Sequence, residues 1–248
     1  LVVSGGPETT GASRLAALAA ARAGAGLTTI VAPLEAARIH AARLDAVMVR
    51  SDLLETALAD ERRNAVVIGP GLGLDQTAAA KVNAVLAAHR ATVLDADALT
   101  LIARTGAQAI QKTHERCVLT PHGGEFERLF PAIAAALPRT GKLEATREAA
   151  RQAGAIIVFK GPDTVIAAPD GRAVIDVLSP PDLATAGTGD VLAGLIGGLL
   201  AQGLEPFEAA CAGVALHGAA ARHAGPGLIA DDLPPAIPAV LSALSSQA

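Results

Sequence analysis

Short apolar runs rich in β-branched residues alternate with helical stretches along most of this chain, and that rhythm narrows the fold more than any other feature. The runs fall at residues 1–4, 28–31, 65–68, 92–95, 117–120 and 156–159. They are apolar on both faces, as strands are when helices cover both sides of a sheet. Helical segments are expected at 12–23, 75–88 and 143–153. Such a rhythm builds βαβ units with right-handed crossovers, hence an α/β fold with a mostly parallel sheet. After Phe159 the pattern changes: 164–168 and 173–177 flank Pro169-Asp170-Gly171-Arg172 and read as a β-hairpin. Glycine-spotted helices at roughly 190–202 and 206–224 follow, the second broken by Gly225-Pro226-Gly227. No linker or repeat divides the chain, so residues 1–248 read as one domain. Leu1 stands inside a strand, and further residues are expected upstream of it.

Composition removes several classes. Hydrophobic residues make up 51% and charged residues 18%, which excludes a disordered chain. A net charge of −4, with no Trp or Tyr, argues against nucleic-acid binding by charge or by base stacking. The longest apolar run, 191–204, is too short and glycine-rich to span a bilayer. Cys117 and Cys211 sit in apolar surroundings and read as reduced thiols of a soluble, cytoplasmic protein.

The densest chemical signal is Ala184-Thr185-Ala186-Gly187-Thr188-Gly189-Asp190, which runs directly into an apolar helix. Glycines around a threonine let backbone N–H groups turn inward at a helix start, giving an anion hole charged by the helix dipole. An aspartate at its lip could take a proton from an attacking hydroxyl, so the segment suggests phosphoryl transfer to an alcohol. Read alone, Gly187-Thr188-Gly189-Asp190 is an ordinary helix-capping turn somewhat more readily than a catalytic one.

Ligands of such sheets bind beyond the carboxyl ends of the strands, and the loops there are unusual. Gly69-Pro70-Gly71-Leu72-Gly73 permits close backbone approach, or forms a tight strand-to-helix turn. In Asp95-Ala96-Asp97-Ala98-Leu99, Asp97 is expected to cap the next helix, while Asp95 suits structure, substrate or a hydrated metal equally. Pro121-His122-Gly123-Gly124-Glu125 can present His122 and Glu125 to one cleft; otherwise Glu125 favours a helix dipole and His122 is solvated. The spacing does not match zinc, and Mg²⁺ held through water and phosphates is the better metal. Lys160-Gly161-Pro162-Asp163-Thr164 suits an anion or a surface turn. His217, within an apolar helix, reads as a hydrogen-bonded packing residue. Ser4-Gly5-Gly6-Pro7-Glu8-Thr9 lacks the Gly-x-Gly-x-x-Gly of a dinucleotide-binding oxidoreductase.

Taken in order with Arg22-Ala23-Gly24-Ala25-Gly26-Leu27, these segments resemble the ADP/ATP-dependent NAD(P)H-hydrate dehydratases of the ribokinase-like superfamily. The resemblance implies a ribokinase-like three-layer α/β/α fold with a C-terminal β-hairpin. It places hydrated nicotinamide nucleotide near Ala12, Gly73, His122 and Asp190. It places ADP or ATP on Lys160, Gly161, Pro162, Asp163 and Thr164 and on Gly187, Thr188 and Gly189, with Mg²⁺ supported by Glu125. Asp190 would be the catalytic base. An epimerase, separate or fused upstream, is the implied partner, and the alanine-rich composition separately suggests a homo-oligomer. The chain departs from the family pattern at Ser179-Pro180-Pro181-Asp182-Leu183, Ala186 and Gly123. A small-alcohol kinase of the same fold and a non-catalytic nucleotide-binding module are the alternatives.

Overall fold

The computed structural model describes residues 1–246. Their strands are β1 (Val2–Val3), β2 (Thr29–Val31), β3 (Met48–Arg50), β4 (Ala65–Ile68), β5 (Ala91–Leu94), β6 (Cys117–Leu119), β7 (Ile156–Phe159), β8 (Thr164–Ala167) and β9 (Ala173–Asp176). They form a nine-stranded sheet in the order β3-β2-β1-β4-β5-β6-β7-β8-β9, parallel from β3 to β7. The hairpin expected after Phe159 extends it: β8 runs antiparallel to β7, and β9 to β8. The edge strand β3 was not among the expected runs, because Met48 and Arg50 are exposed and its residues show no continuous apolar signal.

The helices are α1 (Thr10–Arg22), α2 (Leu34–Ala41), α3 (Leu54–Ala59), α4 (Gln76–Ala87), α5 (Ala96–Thr105), α6 (Ala107–Ile110), α7 (Gly123–Leu129), α8 (Pro131–Ala153), α9 (Thr188–Ala201), α10 (Pro206–Ala224) and α11 (Leu233–Ser245). Alternation within the strands divides the core into two layers. Val2, Val67, Val93, Val118 and Val158 face α1, α2, α9, α10 and α11. Their neighbours Val3, Ile68, Leu94, Leu119 and Phe159 face α3, α4, α5, α7 and α8. Both faces of the central strands are therefore buried, and the period-2 placement of a doubly apolar strand is satisfied.

Helix α8 begins at Pro131, well before the segment 143–153 predicted from pattern, with a break at Gly141, where φ is 76° and ψ 162°. A left-handed φ of this kind suits glycine, and it lets the chain change direction just ahead of Lys142.

The central helix α9 owes its place to small residues. A Cβ on Gly194 would stand 2.1 Å from the carbonyl oxygen of Ala16, and one on Gly198 would stand 2.6 Å from that of Ala20. On the opposite side, a Cβ on Gly197 would meet Val67 Cγ2 at 2.3 Å. Helix α9 is thus pressed between α1 and the sheet at backbone contact distance, which alanines on α1 and glycines on α9 alone allow. Gly194→Ala must push the two helices apart. Overpacking of this kind costs about 1–3 kcal/mol, so the variant should melt several degrees lower; an unchanged melting temperature would refute the tight α1–α9 contact.

Candidate active site

Three neighbouring strand ends supply the charged centre. Backbone hydrogen bonds continue the sheet one step past β5, β6 and β7: Asp95 N donates to Ile68 O, Thr120 N to Leu94 O and Lys160 N to Pro121 O. Held by this extension, Lys160 Nζ donates to Asp95 Oδ1 at 2.9 Å, and Thr120 Oγ1 donates to the same oxygen at 2.8 Å. Asp95 is 2% exposed. The chain bends sharply at this point, for Ala96 has φ 46°, a conformation that non-glycine residues adopt reluctantly. Gly69, at φ 124°, lies against the Asp95 carbonyl so closely that a Cβ would come within 1.7 Å of it.

Asp97 does not cap α5. It lies inside the first turn, and its Oδ2 accepts from Gly73 N at 2.8 Å, fastening the Gly69–Gly73 turn to the end of β5. The same turn is held from the other side by Thr9, whose hydroxyl donates to Gly71 O at 2.6 Å. Ala12 adjoins it: its Cβ would be 3.2 Å from a Cβ on Gly71. Ala12 and Gly73 therefore share one wall, next to Asp97.

His122 is the N-cap of α7. Its Nδ1 accepts from Gly124 N at 3.1 Å, while Glu125 Oε2 accepts from His122 N at 2.9 Å, a reciprocal capping box. His122 is exposed and Glu125 buried. The pairing gives both residues a local structural role and leaves the His122 ring facing the cleft. Burial raises the Glu125 carboxyl above its ordinary range, against the pull of Lys160.

Gly187 is the N-cap of α9, with φ 88°. A Cβ there would meet Ala230 Cβ at 2.9 Å and Leu15 Cδ1 at 3.0 Å, so both conformation and space call for glycine. Thr188 Oγ1 donates to Leu183 O and Thr185 O at 2.7 and 3.0 Å, tying the preceding loop down. A Cβ on Gly189 would stand 3.4 Å from Lys160 Nζ and 3.9 Å from Asp95 Oδ2, so the helix start faces the charged centre. Asp190 follows. Burial first, then the nearby Asp95, pushes its carboxyl up to about 7; Lys160 opposes the shift and Asp97 adds to it.

Beside this centre lies a cavity of about 740 Å³. Lys160, Gly161, Pro162, Thr164, Thr188 and Gly189 line it, together with His122. Pro180, Pro181, Leu183, Leu192 and Val214 add an apolar wall. Asp163 is exposed and outside the lining, and Asp190, Ala12 and Gly73, each partly buried, are also outside it. The Ser179–Leu183 departure is thus part of the wall, as a 3₁₀ turn at Pro181–Leu183. His217 also lines the cavity. It is buried, as expected of a packing histidine, and a backbone hydrogen bond with Thr188 acts on its ring, while Nε2 has no partner among the described residues. Burial lowers its pKa to about 4.

Among the described residues, no three or more His, Cys, Asp or Glu side chains are arranged as a metal cage. Glu125, the residue expected to support a metal, is instead a single buried carboxylate near Lys160 and Asp95. That fits Mg²⁺, which keeps several waters and takes one or two carboxylates plus phosphate oxygens. Both cysteines are free. No described helix is long and apolar enough to cross a membrane.

Comparison with known proteins accords with this geometry. A family model described as NAD(P)H-hydrate dehydratase matches residues 1–237. The bifunctional NAD(P)H-hydrate repair enzyme Nnr of Moorella thermoacetica is 40% identical over 266 residues, covering 100% of this chain and 50% of that protein. The ADP-dependent (S)-NAD(P)H-hydrate dehydratase of Neisseria meningitidis is 40% identical over 197 residues, covering 74% of this chain and 66% of the relative. The chain spans about half the length of the bifunctional relatives it matches. The ADP/ATP-dependent NAD(P)H-hydrate dehydratase of Bacillus subtilis, co-crystallised with ATP/Mg²⁺, superposes with a TM-score of 0.83 at 31% identity, covering 98% of this chain and 88% of that one. A hydroxyethylthiazole kinase of Pyrococcus horikoshii, at 21% identity and a TM-score of 0.64, shares the fold. This ribokinase-like chain belongs to the NAD(P)H-hydrate dehydratase family.

Proposed function

We propose that the chain uses ADP, or ATP, to dehydrate the S epimer of NAD(P)H hydrate back to NAD(P)H, releasing AMP or ADP and phosphate. The observation that carries this reading is the meeting of Asp190, at the glycine-rich start of α9, with the Lys160–Asp95 pair beside a cavity of nucleotide size. The nucleotide lies with its phosphates toward Lys160 to Thr164 and Gly187 to Gly189, and its base against the proline and leucine wall. The hydrated nicotinamide ring lies in the polar cleft among Ala12, Gly73, His122 and Asp190.

The chemistry follows from those positions. Asp190 takes the proton of the C6 hydroxyl as that oxygen attacks the terminal phosphoryl group. Amides at the start of α9 and Lys160 stabilise the charge that spreads over the phosphoryl oxygens. Phosphate is then expelled from C6 by the lone pair of the ring nitrogen, and loss of a proton from the neighbouring ring carbon restores the double bond. Glu125 would hold Mg²⁺, which when bound neutralises phosphate charge. Relatives named as ADP-dependent or ADP/ATP-dependent support the choice of nucleotide. Relatives named as bifunctional repair enzymes support an epimerase partner, fused or separate, for the same damaged cofactor; the pair would act in the cytoplasm. The single domain 1–248 is the dehydratase unit of such a pair. Self-association is supported by an apolar strip on the exposed edge, Ile175, Val177 and Leu178; light scattering that returns the mass of one chain would remove it.

Incubation with NADH hydrate and ADP should restore the absorbance of NADH and release phosphate in equal amount. Accumulation of a stable phosphorylated product would instead indicate a kinase. Asp190→Asn should retain nucleotide binding and lose at least about 100-fold in turnover, the scale of a lost general base; near-parental recovery of NADH would remove Asp190 from this role.

Asp190 also fixes two pH dependences. As a base it must be ionised, so the parental rate should rise with pH through about 7. Its folded value lies above the ordinary 3.8, so its contribution to stability is complete below that value and is lost as pH rises through about 7. Asp190→Asn should therefore melt higher than the parent at pH 8, by a margin that shrinks toward pH 5. A margin independent of pH would contradict the burial of that charge.

A further inference from the structure

The loop that carries Lys160 and Gly161 is fastened from outside the cavity by a residue that the chemistry above does not use. Lys142 follows the break at Gly141 in α8, and the change of direction there aims its side chain at the turn after β7. Its Nζ donates to Asp163 O at 2.7 Å, to Asp163 Oδ1 at 3.0 Å and to Lys160 O at 3.5 Å. One ammonium group thus spans both ends of the turn. The lysine is mostly enclosed, with 17% of its side chain exposed, whereas Asp163 is 56% exposed. The same Nζ stands 4.6 Å above the centre of the Phe159 ring. That ring is stacked on Phe126, with centroids 4.1 Å apart and planes 3° from parallel. Phe126 belongs to α7, the helix capped by His122 and Glu125.

We infer that Lys142 is a positioning residue for the nucleotide, holding the Lys160–Asp163 turn in its binding shape before the nucleotide arrives. This rests on the assignment of the nucleotide to that turn. The physical case is one of pre-organisation. Asp163 contributes one carbonyl and one carboxylate, both solvent-facing, and an exposed ion pair alone is worth little. Lys142 is different because its stem is enclosed and its ammonium group is fixed by carbonyl oxygens as well as by an aromatic face. A cation so placed selects one turn conformation out of several, and the nucleotide no longer has to order the loop itself. The turn also needs that space: a Cβ on Gly161 would stand 2.6 Å from Lys142 Nζ. Lysine and loop are fitted to one another.

The test compares the parent with Lys142→Met, Lys142→Arg and Asp163→Asn. Titration calorimetry gives the affinity for ADP, steady-state NADH recovery gives KM for each substrate, and thermal melting is followed without ligand. Lys142→Met should weaken ADP binding by about tenfold, the scale of a lost charge-assisted hydrogen bond, and raise KM for ADP while KM for the hydrate stays within about twofold. Lys142→Arg should recover most of the affinity, and Asp163→Asn should show a smaller loss of the same kind. Parental ADP affinity in Lys142→Met would overturn the inference, as would equal losses for both substrates. If Lys142→Met does not fold, Asp163→Asn decides: parental ADP affinity there overturns it. A parent that binds ADP but restores no NADH would fault the proposed reaction, and leave the positioning role to be judged by calorimetry alone.

Discussion

The ion pair between Lys160 and Asp95 sets the electrostatics of everything around it. Burying two charges is costly, and their attraction repays the cost only when geometry and extra hydrogen bonds are good. Here Thr120 shares the Asp95 oxygen, and the sheet holds all three residues in line. Yet one cation faces Asp95, Glu125 and Asp190 together, and the attraction of these carboxylates keeps Lys160 protonated despite burial. Glu125 and Asp190 are driven upward by burial first, and the neighbouring Asp95 adds to it while Lys160 opposes. A carboxyl poised near neutrality at Asp190 therefore follows from burial in a site where one cation serves three carboxylates. Phosphates approaching such a site would need Mg²⁺ and the α9 dipole.

Helix α9 brings that dipole to the right place only because it lies so deep. Glycines at 194, 197 and 198 let it settle at contact distance between α1 and the central strands. Any larger side chain would lift its axis and carry Gly187, Gly189 and Asp190 away from Lys160. Packing and chemistry are consequently written into the same helix. The first turn carries the residues of the anion hole, and the following turns carry the small residues that locate it.

Much of this was legible in the sequence, for definite physical reasons. Central strands buried on both faces leave continuous apolar runs, and the hairpin announces itself by its Pro-Asp-Gly turn. Gly187 to Asp190 and Lys160 stand out because positive φ and strand-end charge restrict residue type. What stayed hidden depends on tertiary contacts between segments far apart in the chain. Asp97 caps nothing and instead holds Gly73, 24 residues away. Lys142 meets its loop only through the bend at Gly141, inside a stretch whose alternation gives no helix start at Pro131. Strand β3 is an exposed edge without apolar patterning. His217 looks like any histidine in an alanine-rich helix until α10 is laid beside the cavity.

The departure at Pro180-Pro181 takes on a meaning from the same wall. Proline has no N–H, so Pro180 and Pro181 themselves present only carbonyl oxygens and apolar surface to the cavity. Its rigidity keeps that surface in one shape, since Pro180 is extended, with φ −74° and ψ 152°, and leads into a 3₁₀ turn. The loop beyond it is pinned by the Thr188 hydroxyl, which ties the carbonyls of Leu183 and Thr185 to the start of α9. The same wall continues onto α10, where His217 follows Val214 by one turn and is neutral near pH 7 because burial lowers its pKa to about 4. Prolines, leucines and a neutral imidazole therefore line the cavity without adding charge, which leaves Lys160 as the one lysine or arginine of that lining.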